Sequence, residues 1–554
     1  MPGSISSKNL KEIREISSHL TVNHIYNDID FNTASEFCLK MYEFCLNHIT
    51  FFLNNFNKRD YSTDFYGTLF GYWLYRHICV VYDKFLILKL IDWQNVDLKI
   101  LHKTSFYTPF NHYDWFRCFT TDFGIEQLIS NFCQAFKIEH LENLKLNYNF
   151  IDHEQNLFKT NDNSLQHNYD KSENLICKAK IELIGLYFSE SNLRKLRESL
   201  EDLVINRQIP DITITKKLDI DYPGRNEFSK VFTGNNFLIF LGETLKFGFP
   251  KSFFEYFKIY ECHIKALVNK SNAEYVISEN WISNIRSSMY VALSKENGKK
   301  FICHEHSGPG GICKPSIVWH EEKYSDVFIT CGWTNGSTKL VKGGFSSRDL
   351  QPRTDFFQTG SILFIDFTRP PYLIQYTGSH HSNFERIKHL EFTESFLIQA
   401  KATLGNRLLY RDRQMEGFWN TRDALSHILD GVKIDEGNLS DSIKSARLVI
   451  LNHLSSSAAE VLLNDIPFIL LVDSEIDIFN ERFDGLISKL KESLILHDTP
   501  ESAIKHANLS NNKLQKWWES KSVRQTLALY KKNLVGPPEQ SIQYIVNLQN
   551  KISF

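Results

Sequence analysis

Short apolar runs alternate with segments of helical periodicity from about residue 175 to residue 510, and this alternation limits the fold more than any other feature. Such runs, separated by helices, are typical of parallel sheets with helices on their faces. We therefore predict an α/β fold in which two Rossmann-like units, residues 175–333 and 334–510, face a cleft. The predicted strands lie at residues 180–188, 236–241, 274–278, 300–303 and 327–330, and then at 339–341, 361–366, 407–410, 447–451 and 467–472.

The two ends of the chain are predicted to be helical, over residues 1–140 and 511–554. The most membrane-like stretch is 65–91, but Arg76, His77, Asp83 and Lys84 interrupt it. A membrane-spanning helix needs roughly 20 mostly apolar residues without such interruptions. The stretch is therefore interpreted as a buried helix.

Net charge limits the kinds of ligand this chain can bind, and cysteine content indicates its compartment. The formal net charge is -2, so no global field favours nucleic acid, and an anionic ligand needs a local site. The ten cysteines include no CxxC pair, and residues 1–7 lack the apolar core of a secretory signal. This pattern predicts a cytoplasmic protein with reduced thiols, and peripheral contact with the inner face of the cell membrane stays open.

Residues 305–311, the histidine loop, carry the clearest functional signal. The loop reads Glu-His-Ser-Gly-Pro-Gly-Gly after an apolar strand. Glycines let the backbone approach a ligand closely, and an imidazole can exchange protons near neutral pH. We predict an active-site loop; the alternative is a surface turn with incidental histidines. The candidate residues are the catalytic His306 and Glu305 and the loop positions Ser307, Gly308, Gly310 and Gly311.

Two carboxylates downstream are candidates to assist His306. Glu321 follows His320, and Asp326 precedes the predicted strand 327–330. Either could orient the imidazole or act as a base. The alternative is that both are solvated charges before a strand.

A zinc site is the competing interpretation of this region. Cys303, His306, Cys313 and His320 have ligand types that suit zinc. The spacing of the second pair is longer than usual, and no second cluster supports it. We therefore predict no metal.

Residues 452–457, the serine turn, form the second informative segment. Ser455, Ser456 and Ser457 stand between an apolar strand and a short helix. One hydroxyl is enough to cap a helix, whereas three together with the helix amides could hold a phosphate. Glu460, about one turn further on, could accept ribose hydroxyls. A cap with a dipole-compensating glutamate is the alternative.

Three more residues are candidates for binding the nucleotide. Arg411 follows the strand at 407–410, and a guanidinium binds phosphate bidentately. Gly343 and Gly344 form a turn predicted to face the same cleft. A surface arginine and an ordinary glycine turn are the alternatives.

The order of these motifs resembles that of transferases in bacterial surface-carbohydrate (O-antigen and nonulosonate) gene clusters, which are similar to GT-B nucleotide-sugar glycosyltransferases. That family shows a Gln-His-Gly-Gly-x-Tyr-Gly loop, where this chain has Glu305, Ser307 and no tyrosine. The matching segments are residues 66–74, 82–84, 305–311, 320–321, 326, 332–333, 410–412, 455–460 and 517–518.

The resemblance implies a glycosyltransferase whose first unit binds the acceptor and presents His306. Its second unit would bind a nucleotide-sugar. The paired serines are similar to the motif with which bacterial sialyltransferases hold a CMP-sugar, which implies a CMP-linked ulosonic or nonulosonic acid as donor. The acceptor would be a glycan or lipid-linked oligosaccharide, and no cofactor beyond the nucleotide-sugar is expected. The alternatives are a nucleotide-activated polyol-phosphate transferase and a non-catalytic carbohydrate-binding or assembly protein.

Overall fold

Two six-stranded sheets form the centre of the computed structural model, and neighbouring strands within each sheet run parallel. The predicted α/β class, with two Rossmann-like units in a GT-B-like arrangement, is confirmed. The structure describes residues 31–144 and 178–552, apart from 97–98, 120, 139, 213, 215–216, 307, 309, 315, 317, 348–359, 368–371, 378–382, 414–420 and 474–478.

In both sheets the spatial order of the strands differs from their order along the chain. From one edge to the other, the first sheet contains Val204–Asn206, Ile181–Ile184, Tyr275–Ser278, Lys300–His304, Val327–Thr330 and Leu340–Lys342. The second contains Lys433–Ile434, Leu408–Asp412, Ile362–Asp366, Leu448–Leu451, Phe468–Leu471 and Leu496–His497. A separate two-stranded pair joins Ile100–Leu101 to Asn143–Leu144.

Helices pack on both faces of the sheets. In the part of the chain that is described, their bounds are Phe31–Asn57, Thr63–Leu88, His112–Phe119, Asp122–Ala135, Glu190–Leu200, Tyr222–Ser229, Asn236–Gly248, Phe257–Asn269, Ile285–Glu296, Trp319–Tyr324, Asn383–Leu404, Thr421–Ala424, Ser426–Leu429, Leu439–Ser445, Ser456–Leu463, Asp484–Glu492, Pro500–Ala507, Asn511–Trp518, Lys521–Leu534 and Pro538–Val546.

The register of the first sheet places the functional candidates along one edge. Ser278 pairs with Cys303, and His304 pairs with Ile329. Because parallel strands all point the same way, the residues that follow 278, 304 and 330 meet at the carboxyl edge. Ligands of doubly wound folds bind at that edge.

One strand prediction is wrong, and one predicted strand belongs to the other unit. Residues 236–241 begin the helix Asn236–Gly248, in which the side chain of Asn235 accepts the N–H of Leu238 as an N-cap. A short apolar run of this kind is ambiguous between a buried helix and a strand. The strand at 340–342 pairs with Val327–Thr330, so it belongs to the first sheet and not to the second unit.

The stretch predicted as a buried helix is confirmed as Thr63–Leu88, most of whose residues are buried. It packs against Phe31–Asn57 and Ile285–Glu296, so the N-terminal helices form a layer of the first unit. Its glycines allow close approach: a Cβ on Gly67 would lie 2.3 Å from the ring of Tyr324, and one on Gly71 would lie 3.0 Å from His320 Nε2. No helix within the described ranges is long and apolar enough to cross a membrane.

The C-terminal helices return to the first unit. Ile542 and Ile545 of Pro538–Val546 pack in one cluster with Ile181 and Leu183 of the first sheet. Before that return, Trp518 is buried and contacts Phe468 of the second sheet at a ring-centroid distance of 5.8 Å. The C-terminal helices therefore pack against both units.

Candidate functional site

Glu305 anchors the histidine loop from its buried side. Its carboxylate accepts N–H bonds from Gly310 (2.6 Å), Cys331 (2.6 Å) and the indole of Trp333 (2.8 Å). The residue is 2% exposed. Burial raises the pKa of Glu305 to about 7, although the three donors oppose that shift. Glu305 thus shapes the loop, and its carboxylate does not face the solvent.

Of the loop residues that the structure describes, His306 alone is exposed. Its imidazole lies against Tyr187, with ring centroids 4.5 Å apart. Tyr187 donates its backbone N–H to Glu279 Oε2 at 2.6 Å. The structure therefore places an imidazole at the carboxyl edge of the first sheet, and its catalytic role stays a prediction. Ser307 lies outside the described residues.

A buried network behind His306 was not predicted from the sequence. His304 Nδ1 lies 2.9 Å from Glu279 Oε1 and 3.0 Å from the carbonyl of Glu305, and Nε2 lies 2.9 Å from Ser541 Oγ. Both partners of Nδ1 are acceptors, so Nδ1 carries a proton. The network joins the C-terminal tail to the backbone of Tyr187. Ser541 is 237 residues from His304, and no local sequence motif predicts a contact between residues so far apart.

The histidine loop touches the serine turn. Gly308 has φ +92°, and a Cβ there would lie 3.3 Å from both N and Cα of Ser456. Two neighbouring bonds tie the loop's far side to the second unit: Asn480 N–H donates to Ile312 O (2.8 Å), and Arg482 Nη2 donates to Gly311 O (2.9 Å). The two segments predicted to share a cleft are therefore in contact, and the glycine is what permits it.

The side-chain hydroxyls of the serine turn are not used in hydrogen bonds within the described protein. Ser455 is the N-cap of Ser456–Leu463, but its side chain makes no cap hydrogen bond. Within the described residues, the hydroxyls of Ser455, Ser456 and Ser457 make no hydrogen bond. All three residues are at least partly exposed. Three hydroxyls and the first amides of the helix are thus available to an anion.

Glu460 and Arg411 are engaged elsewhere in this structure. Glu460 is buried and accepts a hydrogen bond from Ser440 Oγ at 2.6 Å. Arg411 Nη1 lies 2.7 Å from Asp435 Oδ2 and donates to Gly437 O at 2.8 Å. A ligand that used either group would have to displace these partners. Their predicted contacts with ribose and phosphate stay predictions.

Gly343 and Gly344 do not face the cleft, contrary to expectation. A Cβ on Gly344 would lie 1.8 Å from the carbonyl oxygen of Pro537, and one on Gly343 would lie 2.5 Å from Ser541 Oγ. These glycines let the C-terminal tail pack closely against the first unit. The sequence does not indicate this packing, because the partner segment lies almost 200 residues further along the chain.

The two downstream carboxylates are separated by the fold. Glu321 lies on Trp319–Tyr324, where its Oε2 is buried and has no hydrogen-bond partner in the described part of the chain. Burial raises the pKa of Glu321 to about 7. Asp326, by contrast, accepts the N–H of Phe301 at 2.8 Å, at the amino end of the strands. The prediction that Asp326 orients His306 is therefore wrong, because the length of a strand lies between them.

The proposed zinc ligands are not assembled. Among the described residues, no three His, Cys, Asp or Glu side chains come together as a metal site would require. His320 Nε2 lies 3.0 Å from the carbonyl of Gly67, and burial lowers the pKa of this imidazole to about 3. His320 is a packed, neutral core histidine.

The raised pKa of Glu321 predicts a pH-dependent stability. A carboxyl whose folded pKa lies above its ordinary value binds protons more tightly in the folded state, so stability falls as pH rises from about 4.5 to 7. Glu321→Gln should weaken this fall by about 1–3 kcal/mol, because glutamine cannot ionise. Urea unfolding at pH 5, 6 and 7 measures the free energy of unfolding at each pH. Glu322→Gln, one residue further along the chain, is the control. If the free energy of unfolding falls equally with pH in the two variants, the prediction is wrong.

Comparison with solved structures gives only distant likenesses. The O-GlcNAc transferase of Thermobaculum terrenum is 11% identical, with 69% of this chain and 68% of that chain covered and a TM-score of 0.34. The UDP-GlcNAc 2-epimerase of Methanocaldococcus jannaschii (12%, 67% and 99%, 0.35) and MurG of Acinetobacter baumannii (11%, 68% and 100%, 0.31) are similarly distant. At these TM-scores the likenesses say nothing about what this chain binds.

Sequence comparison identifies the family. The curated proteins contain no match to this chain. The model described as LIC12162 family transferase, in contrast, matches residues 8–544. That match takes in the N-terminal helices, both sheets and most of the returning tail. The protein therefore belongs to the LIC12162 family of transferases.

Proposed function

We propose that this transferase is a glycosyltransferase that moves a sugar from a nucleotide-activated donor to a glycan acceptor without a metal ion. The observation that carries the proposal is the contact between Gly308 of the histidine loop and Ser456 of the serine turn. It brings an exposed imidazole on one unit close to a set of uncommitted hydroxyls and helix amides on the other. Transfer from a phosphate leaving group needs a base and an anion-stabilising group in such proximity.

The proposed reaction assigns one step to each segment. His306 takes the proton of the acceptor hydroxyl as its oxygen bonds to the anomeric carbon of the donor. The bond from that carbon to the phosphate oxygen breaks, and the electron pair leaves with the nucleotide. The hydroxyls of Ser455, Ser456 and Ser457 and the first amides of Ser456–Leu463 stabilise the charge on the leaving phosphate. His306 then releases its proton to solvent.

We further propose that the donor is a CMP-linked ulosonic or nonulosonic acid and that the acceptor belongs to a surface polysaccharide. The support is the likeness of the serine turn to the serine motif of bacterial sialyltransferases. The second unit would hold the nucleotide, and the first unit would hold the acceptor. Histidine loop and serine turn would then close over the reacting groups from opposite sides.

A thermal-shift panel tests the nucleotide assignment. CMP, CDP, UDP, GDP and CDP-glycerol are each added to the whole protein, and we expect CMP to raise Tm most. A ligand that binds only the folded state at a hundredfold excess over Kd stabilises by about 2.7 kcal/mol. The triple variant Ser455→Ala, Ser456→Ala, Ser457→Ala should lose this shift.

The control for the panel is Ser522→Ala, an exposed serine in the first turn of Lys521–Leu534. It should keep the full CMP shift. A larger shift with CDP-glycerol would favour a polyol-phosphate transferase. No shift with any nucleotide, or an undiminished shift in the triple variant, would overturn the proposed donor site.

A further inference from the structure

Tyr187 is an exposed aromatic residue beside His306. It follows the strand Ile181–Ile184, so it lies at the carboxyl edge of the first sheet, and it is 47% exposed. The next residue, Phe188, is buried and packs against His304 with ring centroids 4.9 Å apart. The chain therefore turns one aromatic ring into the core and leaves the other in solvent next to the proposed base.

Contacts with three neighbouring residues hold Tyr187 in place. Its backbone N–H donates to Glu279 Oε2 at 2.6 Å, and Glu279 is itself buried. Its hydroxyl accepts from Asn280 Nδ2 at 3.4 Å. The imidazole of His306 lies 4.5 Å from its ring, centroid to centroid, at an interplanar angle of 49°. A ring that is already positioned in this way loses little conformational entropy when a ligand binds to it.

The groups around the ring of Tyr187 favour a neutral ligand with a polar rim. Asn280 is partly exposed, and within the described residues its Oδ1 makes no hydrogen bond, so this oxygen can accept one from a ligand. In the same part of the chain, no lysine or arginine lies over the ring. The carboxylate of Glu279 is buried behind the backbone of Tyr187. An aromatic face and an amide therefore meet the ligand, and neither of them selects a charged group.

A pyranose ring has the two kinds of surface that match this arrangement. Its C–H bonds present weakly positive hydrogens on the ring faces, whereas the face of an aromatic ring is weakly negative. Its hydroxyls lie around the rim, where they can donate to the amide oxygen of Asn280 and to the imidazole of His306. A nucleobase also stacks on aromatic rings, but the hydroxyls and helix amides suited to the phosphate of a nucleotide are those of the serine turn, on the other unit.

We propose that Tyr187 is the platform on which a pyranose residue of the acceptor glycan lies, with its hydroxyl rim turned to Asn280 and His306. Naming that residue as part of the acceptor rests on the proposed glycosyltransferase function. Contact with Tyr187 fixes the plane of the sugar, and the hydrogen bond to Asn280 fixes its rotation within that plane. One hydroxyl is thereby held against the imidazole, which is the orientation that a general base needs.

Saturation-transfer NMR on the whole protein tests the platform with simple sugars. The probes are the methyl pyranosides of galactose, glucose and mannose, and saturation is applied to the aromatic resonances of the protein. We expect at least one sugar to receive saturation mainly at the C–H protons of one ring face, because these lie on Tyr187. Tyr187→Ala should weaken its binding about tenfold. Tyr187→Phe, which keeps the ring and loses only the hydroxyl, should retain the binding.

The matched control is Tyr222→Ala. Tyr222 is 50% exposed and lies on the helix Tyr222–Ser229 of the same unit, and its removal should leave sugar binding unchanged. No saturation of any of the three sugars by the wild-type protein overturns the platform, even if Tyr187→Ala fails to fold. Undiminished binding in Tyr187→Ala also overturns it. If cytidine and not a pyranoside loses affinity in Tyr187→Ala, the ring binds a nucleobase and the proposal is wrong.

These outcomes are distinguishable from a failure of the proposed function. The nucleotide panel measures binding at the serine turn and uses none of the three sugars. A CMP shift without any sugar binding would overturn the platform and leave the proposed donor site standing. Sugar binding that depends on Tyr187, without a shift from any nucleotide, would overturn the proposed donor site and leave the platform standing as a carbohydrate-binding site.

Discussion

His306→Ala is expected to lower the rate of sugar transfer by about 10²–10⁴-fold, the usual contribution of a general base. The ring is exposed and packs against Tyr187, so the free energy of unfolding should change by no more than about 0.5 kcal/mol and Tm should change little. Binding of the nucleotide should also persist, because the serine turn is unchanged. Initial rates of donor consumption with and without acceptor, measured beside Tm, check the prediction.

The matched control is His263→Ala, an exposed histidine on the helix Phe257–Asn269 of the same unit. It should keep the wild-type rate. A full rate in His306→Ala would mean that another group takes the proton. Glu321, whose pKa of about 7 also suits a base, would then be the residue to test by Glu321→Ala. Loss of Tm in His306→Ala would show instead that the ring has a structural role.

Much of the fold could be predicted from the sequence because buried parallel strands are short, apolar and bounded by turn residues. The central strands at 275–278, 300–304 and 448–451 are of this kind, and their predicted positions differ by at most one residue at each end. The helix that was predicted as a strand lies where hydrophobic periodicity does not distinguish a buried helix from a buried strand. Residues 237–241 are apolar on consecutive positions, and only Asn235 as an N-cap marks the helix.

The candidate site could be predicted in part because its key groups follow strands. Residues after 304 and after 451 must lie at the carboxyl edges of their sheets, so His306 and Ser455 could be assigned to those edges from the sequence alone. Asp326 precedes the strand at 327–330, so the same rule places it at the amino edge, away from His306, as the structure does. His304, Glu279 and Ser541 come from three distant segments. Only the packing of the tail on the first sheet brings them together.

Gly344→Ala is expected to destabilise the protein strongly. The new Cβ would stand 1.8 Å from the carbonyl oxygen of Pro537. Backbone on both sides fixes that distance, so no side-chain rotation relieves the overlap. Destabilisation should exceed about 4 kcal/mol or the tail should detach. Thermal unfolding and limited proteolysis of residues 521–552 measure the two effects. Gly485→Ala is the control, because a Cβ there meets nothing within 4 Å, and its Tm should not fall.

The same change should also reduce catalysis, because the tail carries Ser541 to His304 Nε2. Through Glu279, that contact supports the backbone of Tyr187, against whose ring His306 lies. Ser541→Ala separates the loss of the tail from the loss of its contact with His304. It removes the hydroxyl that contacts His304 Nε2 and that also accepts the N–H of Gly344, so Tm should fall, but it adds no atom between Gly344 and Pro537. If the tail positions the site, Ser541→Ala lowers kcat several-fold with the tail still protected from protease. If the tail only stabilises the first unit, kcat stays at the wild-type value and only Tm changes.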